Sequence, residues 1–280
     1  MSICLVWLAA ALSPTGTAGG KDPQAGSGNV VLKRFPVKVS QGVAVDEKHF
    51  YAISNTTISK HDKATGAVKV TWRADTKNEA FRHFTHMNSA VALEGKLYCA
   101  HSRYPADPND NSLEIFDIRQ DRLEHEKTIR LPRRHGSLTW ADRHEDGSWW
   151  VCYAVYGKEN NRNTTLVQCR WENEGFAEVR TWKFPAEVVA QWGSMSCSGG
   201  SWGPDGYLYT TGHDDAKVHV LTIDPAGDLK YVRTEEGVGF HGQAIAWDRF
   251  SDPPVLWGIV RGREISQTSM SCRQQPPNES

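Results

Sequence analysis

A recurring pair of residues constrains the fold of this 280-residue chain more than any other feature of its sequence. The pair joins an apolar or aromatic residue to an aromatic one, and successive copies lie 47, 52, 59 and 48 residues apart. The five copies are Phe50-Tyr51, Leu97-Tyr98, Trp149-Trp150, Leu208-Tyr209 and Leu256-Trp257. A period of this size indicates a repeat architecture built from small, similar units.

Each pair opens the second strand of a predicted four-stranded unit. A strand of small residues such as Gly42–Val45 precedes it, and a polar turn such as Asp46-Glu47-Lys48 connects the two. A third strand, for example Ile58–His61, and a fourth strand follow in most copies. Four short antiparallel strands every ~50 residues, without helical periodicity between them, are typical of a β-propeller blade.

We therefore predict an all-β chain with a single five-bladed β-propeller of four-stranded antiparallel blades over residues 30–266. The N-terminal segment Leu32–Pro36 ends like the fourth strands at Ile129–Pro132 and Trp182–Pro185. It should complete the last blade and close the ring, which removes exposed strand edges. A β-sandwich is the alternative, but it would show hairpins without this ordered repeat.

The beginning of the chain has the features of an export signal. The apolar run Ile3–Leu12 is followed by Ser13-Pro14 and small residues, which predicts a signal peptide over 1–19 and a flexible leader over 20–29. A wrongly assigned start or a short membrane anchor are the alternatives. We expect a secreted or periplasmic monomer, with residues 267–280 as a loose C-terminal tail.

Export changes the interpretation of the cysteines. Residues Trp149–Tyr156 and Thr164–Trp171 resemble the two strands of a hairpin, and folding it about its middle sets Cys152 opposite Cys169. A cross-strand disulfide is one prediction in an oxidising compartment, and two free buried thiols are the other.

The charge balance excludes two classes of partner. Lys and Arg total 32 against 33 Asp and Glu, a formal net charge of -1. Such a chain has no basic field to hold nucleic acid and no polybasic patch to hold an anionic membrane. A small molecule, a glycan or a protein remains as the expected partner.

Strand alternation places the candidate site at one end of the propeller. The segment that leads into each inner strand and the loop between its second and third strands lie on the same face, where loop residues often carry function. We expect the ligand at the axial mouth on this face. The candidate ligand-binding residues are His86, Asn88, His101, His135, His213, Asp214, His241 and Gln243.

Two functional classes fit this rim. The first is a noncatalytic recognition module, because no nucleophile, base and orienting residue can be recognised together. The second is an enzyme: a metal-assisted hydrolase or lactonase, or a cyclase or cycloisomerase. Such an enzyme would use four histidines to bind a divalent metal ion or to transfer protons: His101, His135, His213 and His241. Where neutral imidazole is the acceptor, binding should weaken as the pH falls through about 6.5.

The first unit resembles a known group of proteins. Ser40–Val45, Phe50-Tyr51-Ala52 and Lys60–Gly66 are similar to the opening blade of secreted propellers of the glutaminyl cyclotransferase and YVTN-repeat type. The resemblance covers about 27 residues of the chain. It implies the fold and the secreted setting rather than cyclotransferase activity, because Ala52 stands where the cyclotransferase pattern has an acidic residue.

Overall fold

A computed structural model describes residues 28–271 and confirms the five-bladed propeller. Each blade is a four-stranded antiparallel sheet. The strands of blade one, from the axis outward, are β2 (Gly42–Val45), β3 (His49–Ser54), β4 (Thr57–Asp62) and β5 (Val68–Arg73). Those of blade two are β6 (Met87–Leu93), β7 (Lys96–Arg103), β8 (Asp107–Asp117) and β9 (Glu124–Arg130).

The remaining blades follow the same order. The strands of blade three are β10 (Ser137–Arg143), β11 (Trp149–Ala154), β12 (Thr165–Glu172) and β13 (Gly175–Lys183). Those of blade four are β14 (Gly199–Trp202), β15 (Leu208–Thr211), β16 (Val218–Ile223) and β17 (Leu229–Glu235). Blade five consists of β18 (Ala246–Asp248), β19 (Val255–Val260), β20 (Glu264–Ser269) and β1 (Val30–Phe35).

The ring closes through the N-terminal strand, as the sequence predicts. Strand β1 pairs antiparallel with β20, from Val30 opposite Ser269 to Phe35 opposite Ile265. The ring of Phe35 stacks on Trp257, with centroids 5.6 Å apart, and also contacts Phe50 at 4.8 Å. Strand β20 ends at Ser269, three residues beyond the predicted boundary at residue 266.

The recurring pair has a direct packing explanation. Neighbouring residues of a strand point to opposite faces of the sheet. In blade one, Phe50 packs in the cluster shared with blade five, and Tyr51 packs in the cluster shared with blade two. The other four pairs repeat this arrangement, so each pair joins its blade to both neighbours. Five apolar clusters, one between each two adjacent blades, therefore form the core.

Small residues allow the inner strands to approach the axis closely. A Cβ atom on Gly42 would lie 2.4 Å from Ala244 Cβ, and one on Gly200 would lie 2.3 Å from the Trp140 ring. Real Cβ atoms do not occur at such distances, so glycine is required at both positions. The small-residue strands of the sequence are thus the walls of a narrow channel.

The predicted Cys152–Cys169 disulfide is wrong. Cys152 lies opposite Leu166, and Cys169 lies opposite Trp149, a register that differs from the predicted one by three residues. An odd shift turns a side chain to the other face of the sheet. Cys152 accordingly packs between blades three and four, Cys169 packs between blades two and three, and both are free buried thiols.

The described part of the chain contains few helices, and all of them are short. They are one α-helical turn at Ala186–Val189 and 3-10 turns at Glu79–Phe81 and Asn161–Asn163. Within residues 28–271, none has the length and apolar character needed to cross a membrane. The predicted signal peptide and most of the predicted leader and tail lie outside the described residues, and the secreted or periplasmic setting and the monomeric state stay predictions.

Candidate functional site

A cavity of about 220 Å³ opens at one end of the channel, and all five blades contribute to it. We call this cavity the axial mouth. Its wall contains Gln41 from blade one, His86, Asn88 and Tyr104 from blade two, Thr139 and Tyr156 from blade three, Met195, Ser198 and His213 from blade four, and Gln243 and Arg261 from blade five. Most of these side chains are polar, and the cavity is smaller than the roughly 300–1,000 Å³ pockets that hold drug-sized ligands.

The chain direction explains why these residues meet. Gln41, Asn88 and Gln243 lie where the chain enters an inner strand, whereas His213 and Arg261 lie where a second strand has just ended. Antiparallel strands bring these two positions to the same face. The predicted location of the polar rim at one end of the propeller is therefore what the structure shows for these residues.

Four of the eight predicted binding residues line the axial mouth: His86, Asn88, His213 and Gln243. Asp214 lies just outside it, where its Oδ1 is 2.6 Å from His213 Nδ1. His135 and His241 are exposed and do not line the cavity. His135 and His241 precede the inner strands β10 and β18 on the face predicted for them, but their side chains do not reach the axis.

His101 is not a mouth residue, which corrects its assignment. It is fully buried within blade two, where Nε2 accepts a hydrogen bond from the Thr85 backbone N–H at 3.2 Å. With Nε2 an acceptor, Nδ1 carries the proton and donates to Ser112 Oγ at 2.9 Å. Ser112 in turn donates to Glu114 Oε1 at 2.6 Å. The register of β7 directs this side chain into the blade, not toward the channel.

The proposed metal-ligand set is also not assembled. Of His101, His135, His213 and His241, only His213 lines the axial mouth. Among residues 28–271 there is no group of three or more His, Cys, Asp or Glu side chains that could hold a metal ion. The loops that carry these histidines share a face, but sharing a face does not make their ring nitrogens converge.

The electrostatics of the mouth favour uncharged histidine. Burial lowers the pKa of His86 to about 4, and the nearby charge of Arg261 acts in the same direction. Burial likewise raises the pKa of Tyr156 above its ordinary value. His86 and Tyr156 are therefore both neutral near pH 7, and each can donate or accept hydrogen bonds.

Several lining residues were missed from the sequence, above all Tyr104, Tyr156, Thr139 and Ser198. A signal for the two tyrosines exists: each lies six residues after the second member of its blade's aromatic pair. In blades four and five the residues four positions after the pair, His213 and Arg261, occupy the corresponding loop. A search over the four to six residues that follow each pair finds all four side chains.

At the opposite end of the channel, the buried carboxylate of Asp142 forms an ion pair with Arg249. Asp142 Oδ2 accepts hydrogen bonds from Arg249 at 2.7 Å, from the Trp202 backbone N–H at 2.8 Å and from Ser201 at 3.1 Å. Two wider depressions of about 430 and 440 Å³ lie on that face, each formed mainly by polar turns. We consider the axial mouth the better site because every blade contributes a residue to it.

Comparisons with known proteins show the fold alone. No protein-family model matches the chain, and no curated protein matches its sequence. A solved luciferin-regenerating enzyme is similar over 89% of this chain and 98% of its own, with a TM-score of 0.56 and 10% identity. The WD40 domain of Toxoplasma gondii coronin matches 91% of this chain and 88% of its own at a TM-score of 0.45 and 13% identity.

A protein of unknown function from Bacteroides caccae matches at a TM-score of 0.42 and 10% identity. The match covers 70% of this chain and 60% of that protein. The five four-stranded blades make the chain a β-propeller. Its resemblance to the cyclotransferase and YVTN-repeat type has no family match behind it.

Proposed function

We propose that this propeller is a recognition module that binds a small polar molecule in the axial mouth. The observation that carries the proposal is the convergence of polar side chains from all five blades on one cavity. Its volume of about 220 Å³ favours a small molecule over a glycan chain or a protein segment.

Backbone strain at the mouth supports this proposal. Gln243 has φ of +59°, a left-handed conformation that costs an ordinary residue about 1 kcal/mol or more. The side chain is buried and donates to the His213 carbonyl at 3.1 Å, while the backbone N–H donates to the Gly212 carbonyl at 3.0 Å. Strained non-glycine residues cluster at binding and active sites.

The second candidate function is an enzyme that acts by proton transfer, and one observation favours it. Asp214 contacts His213 Nδ1 at 2.6 Å, as the orienting carboxylate of a general base does. In the structure, however, His213 Nε2 is 3.2 Å from the guanidinium of Arg261 and accepts its hydrogen bond. The nitrogen that a base would use is thus already engaged, so we prefer the recognition function.

Met195 offers a direct test because its side chain lines the mouth, whereas Met87 is fully buried in the core between blades one and two. We would label the methionine methyl groups with carbon-13 and titrate the full chain with a panel of small neutral and anionic metabolites. A molecule bound in the mouth should shift the Met195 methyl resonance and leave that of Met87 unchanged. A panel that produces no Met195 shift, or binders that shift Met87 alone, would overturn the proposal.

A further inference from the structure

We infer that the ligand of the axial mouth is a small polyhydroxylated anion whose acidic group binds the guanidinium of Arg261. This inference rests on the proposed function and adds the chemical class of the ligand. Arg261 lies between β19 and β20, and its side chain lines the cavity. Within residues 28–271, no Asp or Glu side chain lines that cavity.

The environment of Arg261 differs from that of the paired arginines in this fold. Arg249 donates to the buried Asp142 carboxylate, and Arg133 forms two hydrogen bonds with Asp107. Arg261 instead contacts an imidazole nitrogen, His213 Nε2, at 3.2 Å. A guanidinium has five N–H donors and a fixed planar fork that matches a carboxylate or a phosphate. Most of these donors remain for a ligand.

A chain of hydrogen bonds orients this guanidinium. Arginine can only donate, so His213 Nε2 must be the acceptor and Nδ1 must carry the ring proton. Nδ1 then donates to Asp214 Oδ1 at 2.6 Å. Asp214 therefore fixes the His213 ring from outside the mouth, and His213 fixes the Arg261 fork at its edge.

The other polar residues of the mouth add no competing charge. His86 is uncharged near pH 7 because burial, with help from the charge of Arg261, lowers its pKa to about 4. Asn88, Thr139 and Ser198 are neutral groups that donate to the backbone carbonyls of Leu138, Cys197 and Ser196, so their side-chain oxygens can accept hydrogen bonds from a ligand. Hydroxyl groups of a ligand are their natural partners, whereas one acidic group satisfies Arg261.

The aromatic residues limit the shape of the ligand. Tyr104 and Tyr156 lie with ring centroids 5.1 Å apart, and His86 is 5.3 Å from Tyr104. These rings provide an apolar wall for the carbon skeleton of a small polyol acid. A carboxylate and a phosphate both carry the negative charge that Arg261 would bind, and the experiment below distinguishes between them.

Three probes with the same four-carbon skeleton and the same configuration isolate the acidic group: threitol, threonate and threitol 4-phosphate. Each is titrated into the wild-type chain with the Met195 methyl as the reporter. We expect one or both anions to bind at least tenfold more tightly than threitol, with an affinity that decreases as salt is added. The stronger of the two anions identifies the acidic group as a carboxylate or a phosphate.

The decisive variant is Arg261→Gln, with Arg263→Gln as its matched control. Arg263 is exposed in the same turn and does not line the mouth, so both changes remove one positive charge from the same place in the fold. Arg261→Gln should weaken anion binding at least tenfold, Arg261→Lys should weaken it less, and Arg263→Gln should leave it unchanged. Melting temperatures within a few degrees of wild type would show that the variants fold.

The possible failures are distinguishable. If threitol shifts Met195 as strongly as the anions, or if Arg261→Gln binds the anions like wild type, the anion inference is wrong and the proposed binding function stands. If none of the three probes shifts Met195, the inference is also wrong, and the wider metabolite panel alone decides the proposed function.

Discussion

Glu114 Oε2 accepts a hydrogen bond from His125 Nε2 at 2.9 Å in the interior of blade two. Its other oxygen, Oε1, is 3.0 Å from His83 Nε2, and Ser112 and Thr128 also donate to the carboxylate. Burial by itself raises the pKa of Glu114, but the hydrogen bonds from His125, His83, Ser112 and Thr128 outweigh it and lower that pKa well below its ordinary range. Glu114 is thus a buried acceptor that holds three segments of the blade together.

We expect Glu114→Gln to destabilise the protein by about 3 kcal/mol, because an amide cannot accept all the hydrogen bonds that the carboxylate receives. The free energy of unfolding from urea denaturation at pH 7 measures the effect. Glu126→Gln is the control, since it removes a carboxylate from an exposed ion pair with Lys96 and should change stability by less than about 1 kcal/mol. Equal losses in the two variants would contradict the structural role of Glu114.

The same carboxylate contributes to acid sensitivity. A carboxyl with a lower pKa in the folded chain stabilises the fold above the unfolded value of about 4.3 and loses this contribution as the pH falls toward the folded pKa. The unfolding free energy of wild type should therefore decline below about pH 4.5, and Glu114→Gln should decline less. Measurements between pH 5 and pH 3 compare the two slopes.

His101 predicts a second loss of stability at a higher pH. Burial lowers its pKa to about 4, although the Glu114 charge acts in the opposite direction, whereas an unfolded histidine titrates near 6.5. Between these values the unfolded chain binds more protons, so stability falls as the pH drops from about 6.5 toward 4, by roughly 3 kcal/mol for this residue. His86 and His219 are shifted in the same direction.

The variant His101→Gln tests this contribution, since glutamine does not titrate. Its unfolding free energy should be lower than that of wild type at pH 7 but should fall less between pH 6.5 and 4.5. Urea denaturation at pH 7, 5.5 and 4.5 gives the comparison. A variant curve parallel to that of wild type would show that His101 is not buried in its neutral form.

The fold could be predicted because its determinants recur at short range in the sequence. Each aromatic pair must fill two interfaces from adjacent positions of one strand, and this demand repeats in every blade. Register and side-chain direction were harder to predict. Cys152 is assigned to the correct strand, but a shift of register gives it a different partner. His101, which the sequence assigns to a loop, lies within β7 with its side chain directed into the blade. Register and side-chain direction depend on how the connecting loops close, and the sequence of a single strand does not encode that closure.

Closure of the ring depends on Phe35 more than on the rest of β1. Phe35 is buried against Trp257 and Phe50, whereas Val30 in the same strand is 55% exposed. Phe35→Ala should cost about 3–5 kcal/mol, since it leaves a cavity where blade five meets blade one. Val30→Ala is the control and should cost less than about 1 kcal/mol. Similar melting temperatures for the two variants would argue against closure through this strand.

Gln243 permits a test of whether backbone strain at the mouth serves binding. Gln243→Gly removes the left-handed strain and the side chain together, so stability should stay within about 1 kcal/mol of wild type while binding in the mouth weakens. Glu94→Gly is the control, because Glu94 also has a positive φ, of +52°, but lies in a turn on the opposite face. It should leave binding unchanged. Retained binding in Gln243→Gly would remove Gln243 from the site.

His86 reports the charge of the axial mouth directly. Its ring proton resonances should titrate with a midpoint near pH 4, because burial and the charge of Arg261 both disfavour the imidazolium form. In Arg261→Gln this midpoint should rise, since one of the two causes is removed, whereas Arg263→Gln should leave it near 4. His86 then remains neutral from pH 8 to pH 5, so the loss of binding through pH 6.5 that the sequence predicts for a histidine acceptor should not arise from this residue. A midpoint near 6.5 in the wild-type chain would place His86 in open solvent and contradict the geometry of the mouth.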